Sequence, residues 1–321
     1  MKTTLLILFI ALLEITYAQT PSFQWATSAG GITIYNDEGQ SIATDADGNV
    51  FVTGWFQSPY ITFGTTTLNQ AGAVDFFLVK YDPNGNVLWA KGAGGAADDV
   101  GQSVTTDANG NVIVTGYFYS PSITFGTTTL TNSSSADDIF MVKYDPNGNV
   151  LWAKSEGGTG YEDGRGIATD AEGNIFVAGN FSSPSVSFGR FTLTNPTSPA
   201  GEVFLTKYDS DGNALWAKVG GQSPLSELLT NLAVDANGNA YITGYFYDST
   251  IWFGSISLTN TSANKSDLFV AKYDPNGNVL WARSEGGSDN EGARNISTDA
   301  NGNVFVTGDF KSPSMTFGTT T

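Results

Sequence analysis

The stretch Lys143-Tyr-Asp-Pro-Asn-Gly-Asn-Val-Leu-Trp-Ala-Lys154 decides the architecture, because the chain repeats it. The same twelve residues stand at 80–91, and edited copies stand at 207–218 and 272–283. The tryptophan of this phrase recurs at intervals of 63 to 65 residues. Its positions are Trp25, Trp89, Trp152, Trp216 and Trp281. A fixed period of this length indicates an array of structurally equivalent units.

Each unit contains two polar turns that end in glycine. In Asp145-Pro-Asn-Gly148, proline presets φ at about −65° and glycine accepts the left-handed conformation that closes a hairpin. The other turn has the pattern Asp-Ala-x-Gly-Asn, as at 107–111. We therefore predict hairpins in which the glycines are structural. These glycines are Gly48, Gly85, Gly110, Gly148, Gly173, Gly212, Gly238, Gly277 and Gly302.

The segments around these turns have the composition of β-strands, which we label a, b, c and d. In the second unit they are 101–107, 111–118, 138–144 and 149–154, rich in β-branched and aromatic residues. One four-stranded sheet cannot bury both of its faces, so we predict radial stacking into a β-propeller. A β-solenoid is the rival fold, but its coils are much shorter than these units. Between strands b and c, residues 123–132 predict an extra hairpin or an extended loop.

The sequence thus predicts an all-β protein with four-stranded antiparallel blades of about 64 residues each. Four blades are complete and a fifth is partial, so the ring is open or incompletely closed. A strand d at 22–31 has no strand c before it, and the fifth unit stops after strands a and b. We expect the propeller domain, residues 19–321, to be C-terminally incomplete and part of a longer protein.

Residues 1–18 have the pattern of a cleaved signal peptide. Lys2 supplies a positive charge, 5–13 form an apolar run, and Thr16-Tyr-Ala18 supplies a cleavage site. A membrane-spanning helix needs about 20 apolar residues, so we predict no membrane insertion. We expect an exported protein at the cell surface or in the extracellular space.

The charge and the missing residue types exclude several functions. The chain has a net charge of −17 and contains neither cysteine nor histidine. Disulfides, thiol catalysis, imidazole bases and zinc sites built on Cys or His are therefore excluded. An acidic surface repels nucleic acid, which we exclude as a partner, and favours solubility.

These phrases together resemble a known family. The order Asp-x-Phe-x-x-Lys-Tyr-Asp-x-x-Gly-Asn-x-x-Trp-Ala, then Gly-Gly, then Asp-Ala-x-Gly-Asn-x-x-Val-Thr-Gly is similar to the SBBP β-propeller repeat of secreted bacterial proteins. The resemblance covers nearly all of residues 22–318. It implies a propeller scaffold and no catalytic residues.

The repeated tryptophans are predicted to be packing residues. We expect each Trp of strand d to lie between blades together with the aromatic residues of strand c, such as Phe140 and Tyr144. A row of exposed tryptophans that binds sugar is the alternative.

Carboxylates recur in the loops between strand d and the next strand a. Stacked blades would arrange them as an acidic rim that could bind Ca²⁺ or a basic partner, or simply cap strand a. The rim residues are Asp37, Glu38, Asp98, Asp99, Glu162, Asp163, Glu227, Asp289 and Glu291. The Asp-x-Asp-Gly-Asn turns do not fit a calcium loop, which has glycine at its sixth position.

We expect an exported, non-enzymatic scaffold or interaction module without a cofactor. It would bind a protein or a glycan on the face formed by the d–a loops and the b–c insertions, because loops on a rigid frame commonly carry function. One alternative is a glycoside hydrolase or lyase that uses carboxylates alone. Another is a calcium-binding adhesion module. A cluster of Asp, Glu, Tyr and Arg at the central channel would favour the enzyme, with Arg165 and Arg294 as candidates.

Overall fold

The computed structural model describes residues 24–31, 35–196, 198–222, 227–260, 262 and 264–317. The predicted signal peptide at 1–18 lies outside these residues. Within them every regular element is a β-strand. No helix in this part of the chain is long and apolar enough to cross a membrane.

Each complete blade has six strands. The first, second, fifth and sixth form one antiparallel sheet in the order a-b-c-d, and the third and fourth form a separate hairpin. The first blade contains β1 (Asp37–Thr44), β2 (Val50–Phe56), β3 (Tyr60–Phe63), β4 (Thr66–Asn69), β5 (Asp75–Tyr81) and β6 (Val87–Ala93). The second contains β7 (Asp99–Thr106), β8 (Val112–Phe118), β9 (Ser122–Phe125), β10 (Thr128–Thr131), β11 (Asp138–Tyr144) and β12 (Val150–Glu156).

The third and fourth blades repeat this arrangement, and among the described residues the fifth unit contains strands a and b. The third contains β13 (Glu162–Thr169), β14 (Ile175–Phe181), β15 (Ser185–Phe188), β16 (Phe191–Thr194), β17 (Glu202–Tyr208) and β18 (Ala214–Gly221). The fourth contains β19 (Glu227–Val234), β20 (Ala240–Phe246), β21 (Thr250–Phe253), β22 (Ile256–Thr259), β23 (Asp267–Tyr273) and β24 (Val279–Glu285). The fifth unit contains β25 (Glu291–Thr298) and β26 (Val304–Phe310). The all-β propeller with four complete blades and an incomplete fifth is therefore confirmed.

Strand a of every unit lies nearest the propeller axis. Neighbouring a strands are joined by side-chain hydrogen bonds: Thr106 Oγ1 donates to Thr44 O and Thr169 Oγ1 donates to Thr106 O, each at 2.9 Å. Strand d is the outermost strand of each sheet. The five a strands therefore surround the axis.

The core lies between the blades. All seven residues of β11 are buried. The ring centre of Phe140 lies 5.6 Å from that of Phe76 in the preceding blade. The half-buried Trp89 lies in the same interface, with its ring 6.0 Å from Phe51 and 6.4 Å from Tyr144 of the next blade. The repeated aromatic residues thus join adjacent sheets.

The inserted hairpins fill the wedge between blades, which widens away from the axis. Phe125 of β9 packs 5.7 Å from Phe76 and 5.1 Å from Phe140, so it touches strand c of two adjacent blades. The opposite side of the hairpin carries Thr124 and Thr129, whose hydroxyls are 3.0 Å apart and exposed. The b–c insertion is a hairpin, and half of it belongs to the core.

The polar turns have the geometry that their glycines predict. The nine turn glycines have φ between +74° and +84°. In the a–b turn of the second blade, Asp107 accepts hydrogen bonds from the backbone of Asn109 and Asn111 and from the Asn111 amide. These bonds occupy both carboxylate oxygens, so the aspartate closes the turn.

Candidate binding face

One face of the disc carries the d–a loops and the ends of strands b, and the other carries the repeated Asp-x-x-Gly turns. We call the first the variable face. The predicted acidic rim lies on it, and the structure divides the rim residues into two groups.

The first group holds the scaffold together, and its members are buried except for the half-buried Asp37. Glu162, at the start of β13, accepts hydrogen bonds from the backbone of Gly158 and from the backbone and hydroxyl of Ser183. It thereby ties the d–a loop to the end of strand b. The same bonds to a glycine and a serine are made by Asp37, Asp99 and Glu291. Burial raises the pKa of Asp99 to about 6 and that of Glu162 to about 7.

The second group lies nearer the solvent. Asp163 pairs with Arg165 at 2.6 Å, and Asp289 pairs with Lys265 at 2.7 Å. Glu38 accepts a hydrogen bond from Gln40, and Asp98 is exposed. The side chain of Glu227 lies outside the described residues. In the described part of the chain, no three carboxylates are grouped so that they could hold a metal ion.

A β-bulge interrupts strand a of every unit at the same place. In the second blade the pairing shifts between Gly101 and Ser103, so Gln102 is the extra residue. The extra residues of the five units are Gln40, Gln102, Arg165, Thr230 and Arg294. They line a polar cavity of about 510 Å³ together with their neighbours on all five a strands. The bulge therefore places one polar side chain from each unit in the lining of this axial cavity.

Arg165 is the centre of a cluster at the mouth of this cavity, on the variable face. Its Nε and Nη2 both lie 2.6 Å from Asp163 Oδ2. Asp163 also accepts a hydrogen bond of 2.9 Å from the Asn180 amide. The charge of Arg165 acts on Tyr117 and Tyr245 of the two neighbouring blades. Although burial opposes its charge, Asp163 holds the pKa of Arg165 above its usual value.

Arg294 extends the cluster toward the fifth unit. Its Nε donates to Asp309 at 2.6 Å, and its guanidinium lies 5.9 Å from the centre of the Tyr245 ring. The rings of Tyr245 and Tyr247 meet edge to face at 5.8 Å. These groups and Lys311 line a small pocket of about 120 Å³.

Asp137 is a further carboxyl group with a raised pKa. Burial, together with the charges of Asp163 and Asp98, raises the pKa of Asp137 to about 6. Burial and the charge of Asp137 in turn raise the pKa of Tyr117 to about 12. At neutral pH, Tyr117 is therefore a protonated phenol.

The variable face also carries the exposed tyrosines of the described residues. They stand in d–a loops and at the ends of strands b, and they are 39% to 64% exposed. These residues are Tyr35, Tyr119, Tyr161 and Tyr247. Among the described residues of the four complete blades, the other exposed aromatic residue is Trp252, on an inserted hairpin. The exposed large residues of the d strands are leucines that repeat from blade to blade, such as Leu88 and Leu151.

The sequence reasoning missed Tyr117, Tyr245 and Asp137. A signal for the tyrosines was present, because the residue before the repeated Phe of strand b varies between units while its neighbours recur. This position is held by Trp55, Tyr117, Asn180, Tyr245 and Asp309.

With the blades and their faces in place, comparison with known proteins supports the same architecture. The family model described as "Beta-propeller repeat" (SBBP) matches residues 24–55 and 152–180. The chain is an SBBP-type β-propeller repeat protein. The matched segments include Trp25 and the strand b of the first SBBP repeat, and Trp152 and strand b of a later one.

Two longer proteins contain segments similar to these SBBP repeats. A protein named "Uncharacterized WD repeat-containing protein L264", from Acanthamoeba polyphaga mimivirus, is 33% identical over 88% of this chain. "Regulatory protein FlaEY" of Caulobacter vibrioides is 27% identical over 72% of it. The chain spans about a quarter of the length of these relatives, with coverage of 25% and 24%.

Solved structures that are similar to the SBBP chain are distant. A protein of unknown function from Bacteroides caccae matches 77% of this chain and 81% of its own, at 14% identity and a TM-score of 0.33. XC5397 from Xanthomonas campestris, described as a gluconolactonase, matches 89% and 84% at 13% identity and a TM-score of 0.38.

Proposed function

We propose that this chain is an exported, non-enzymatic propeller module that binds a glycan or a protein through its variable face. The observation that carries the proposal is the collection of exposed tyrosines there, beside the blade-specific cluster around Arg165. The exposed leucines of the outer strands, by contrast, repeat from blade to blade, which is typical of a scaffold.

Tyrosine suits a binding surface for physical reasons. It presents a large, rigid ring with a hydroxyl group, and it loses little conformational entropy on binding. Tyr161 is 64% exposed and Tyr119 is 43% exposed, so both rings are open to a partner. Sugar rings and protein side chains both pack on such faces, and the hydroxyl groups donate or accept hydrogen bonds.

The mouth of the axial cavity supplies directional contacts. Asp163, Asn180 and Arg165 form a connected set of donors and acceptors, and this set is held in place by its own hydrogen bonds. A preformed polar site of this kind binds at a lower entropic cost than flexible side chains do. The tyrosines would provide contact area, and the mouth would provide specificity.

Paired arrays test this proposal. The labelled protein is applied to a glycan array and to a peptide array, beside a Tyr161→Ser/Tyr247→Ser variant and a Leu88→Ser/Leu280→Ser control from the outer strands. We expect ligands that the wild type and the control retain and the tyrosine variant loses. Equal binding by all three proteins, or no ligand in either array, would contradict the proposal.

The raised pKa of Asp137 favours one second candidate, a glycoside hydrolase or lyase at the same mouth. A carboxyl group with a pKa of about 6 can act as a general acid near neutral pH. Arg165 would then bind an anionic group of the sugar. Incubation with a panel of polysaccharides, followed by an assay for new reducing ends, tests this. Activity that Asp137→Asn abolishes would support the enzyme, and no activity on any substrate would count against it.

Export is proposed from residues 1–18 and has its own test. The protein expressed from its full sequence in a bacterium should leave the cytoplasm with Gln19 as its first residue. Mass spectrometry of the protein recovered outside the cytoplasm measures this, and a chain that retains residue 1 would contradict export.

A further inference from the structure

The axial cavity between the a strands combines positive charge with a polar enclosure. Its volume of about 510 Å³ lies within the range of small-molecule sites. Among the described residues that line it, two are arginines and none carries a carboxylate. The whole chain, by contrast, contains 31 Asp and Glu and 14 Lys and Arg. The charged side chains that line this cavity therefore favour an anionic group.

The cavity lies inside the array of blades. Gln102, Arg165 and Thr230 stand on the a strands of the second, third and fourth blades, and each of these strands has a described a strand on both sides. All the lining residues belong to a strands, whereas strands c and d lie farther from the axis. The walls around Arg165 therefore do not involve the outer strands of any unit.

Both arginines have N–H donors left for a ligand. Asp163 accepts from Nε and Nη2 of Arg165, and Asp309 accepts from Nε of Arg294. In the described part of the chain, no hydrogen bond uses Nη1 of Arg165 or either Nη of Arg294. The charges of both arginines act on Tyr245, so both guanidinium groups stand on its side of the mouth. The aspartates thus orient two side chains whose remaining donors match the oxygens of a carboxylate.

Neutral groups complete the cavity. The amides of Gln102, Asn231 and Asn295 line its wall, and an amide both donates and accepts hydrogen bonds, as hydroxyl groups require. Two positions after each bulge residue, an aliphatic side chain also lines the cavity: Ile42, Val104, Ile167, Leu232 and Ile296. A sugar ring, which has hydroxyl groups at its edge and C–H groups on its faces, matches both kinds of surface.

We propose that the axial cavity binds a uronic acid residue of an acidic glycan, with its carboxylate held by Arg165 and Arg294. This inference names the ligand class of the variable face and rests on the function proposed above. A free phosphate ion would meet the same arginines, but it has no body that could contact the amides and the aliphatic side chains. The net charge of −17 also repels multivalent anions. The exposed Tyr119 and Tyr161 would pack on neighbouring sugars of the glycan.

Titration calorimetry with small probes tests the site. The probes are glucuronate and galacturonate, with glucose and galactose as matched neutral sugars and inorganic phosphate as the free anion. We expect one uronate to bind about tenfold more tightly than its neutral counterpart and than phosphate, because charge-assisted hydrogen bonds are the strong ones. Arg165→Gln and Arg294→Gln should each remove most of this preference. Lys218→Gln, on the outer strand β18, should leave it unchanged.

Thermal unfolding shows whether each variant is folded. Arg294→Gln keeps the test decisive if Arg165→Gln unfolds, because Arg294 is the more exposed of the two. Equal binding of uronates and neutral sugars, no binding of either uronate, or equally tight binding of phosphate would overturn the inference.

The glycan and peptide arrays separate this inference from the proposed function. Array ligands that are all neutral glycans or peptides would overturn the uronate assignment and leave the binding face in place. Uronate binding in the cavity without any array ligand would support the cavity as a site and contradict the proposed function.

Discussion

Lys143 Nζ lies 2.9 Å from Asp107 Oδ2, and both side chains are almost fully buried. The pair joins the end of strand c to the a–b turn. It recurs as Lys80 with Asp45 and as Lys207 with Asp170. Burial alone would raise the pKa of Asp107, but hydrogen bonds from Asn111 and Lys143 hold it below its usual value. The repeated Lys-Tyr and Asp-Ala phrases thus encode an ion pair within each blade.

Removing the lysine should therefore leave a buried, unpaired carboxylate. We predict that Lys143→Met lowers the free energy of unfolding by about 3–5 kcal/mol. Lys265→Met, which removes an exposed pair with Asp289, should have a much smaller effect. Urea denaturation measures the free energy of unfolding of both variants. Equal losses would contradict the prediction that the buried pair stabilises the fold more than the exposed pair.

The tryptophan at the blade interface is predicted to stabilise the array. Trp152 lies against the core of the third blade and donates a hydrogen bond of 3.3 Å to Ser210 O. We expect Trp152→Ala to cost about 3–5 kcal/mol. Trp252→Ala should cost about 0.5 kcal/mol, because its side chain stands on the surface. An unchanged melting curve for Trp152→Ala would rule out the packing role.

A glycine in strand b is required by the bulge opposite it. A Cβ on Gly116 would lie 1.9 Å from the carbonyl oxygen of Val100, and backbone cannot move away as a side chain can. Gly116→Ala should destabilise the protein by at least about 3 kcal/mol. Gly173 has φ of +80° and open space around it, so Gly173→Ala should cost about 1 kcal/mol. Thermal unfolding measures the loss of stability in each variant, and similar losses in the two would contradict the proposed clash.

Stability should fall as the pH rises from 4.5 to 7. Burial raises the pKa of Glu156 from 4.5 to about 7, and that of Glu162 likewise to about 7. In this range the folded protein retains protons that the unfolded chain has released, so rising pH favours unfolding. Glu156→Gln should reduce the slope of the free energy of unfolding against pH. Glu172→Gln, at an exposed turn, is the control, and a slope unaffected by Glu156→Gln would contradict the assignment.

Features that recur in every unit were predictable from the sequence, because local chemistry determines them. The turn at Gly148 and the position of Trp152 between blades follow from turn geometry and a fixed period. The role of Glu162 was harder to predict, because its carboxylate is held by hydrogen bonds from Ser183, which is distant in the chain. The recurring Ser-Pro after strand b, as at Ser183-Pro184, was the available signal.

The proposed binding face was harder to predict, because several of its residues do not recur in every unit. Arg165 lies at the axis only because a bulge shifts the strand pairing, and the recurring glycine of strand b marks this bulge without showing which side chain it displaces. Tyr117 and Tyr245 interact electrostatically with Arg165 from different blades, so only the ring arrangement brings the three residues near one another.

The most direct test of the binding face is titration calorimetry with the strongest ligand from the arrays. Arg165→Gln should raise the Kd at least tenfold, because the side chain lines the mouth and contacts Asp163. Lys218→Gln, whose side chain is exposed on the outer strand β18, should leave the Kd unchanged, and thermal unfolding shows whether each variant is folded. A folded Arg165→Gln variant that binds as tightly as the wild type would contradict the central claim.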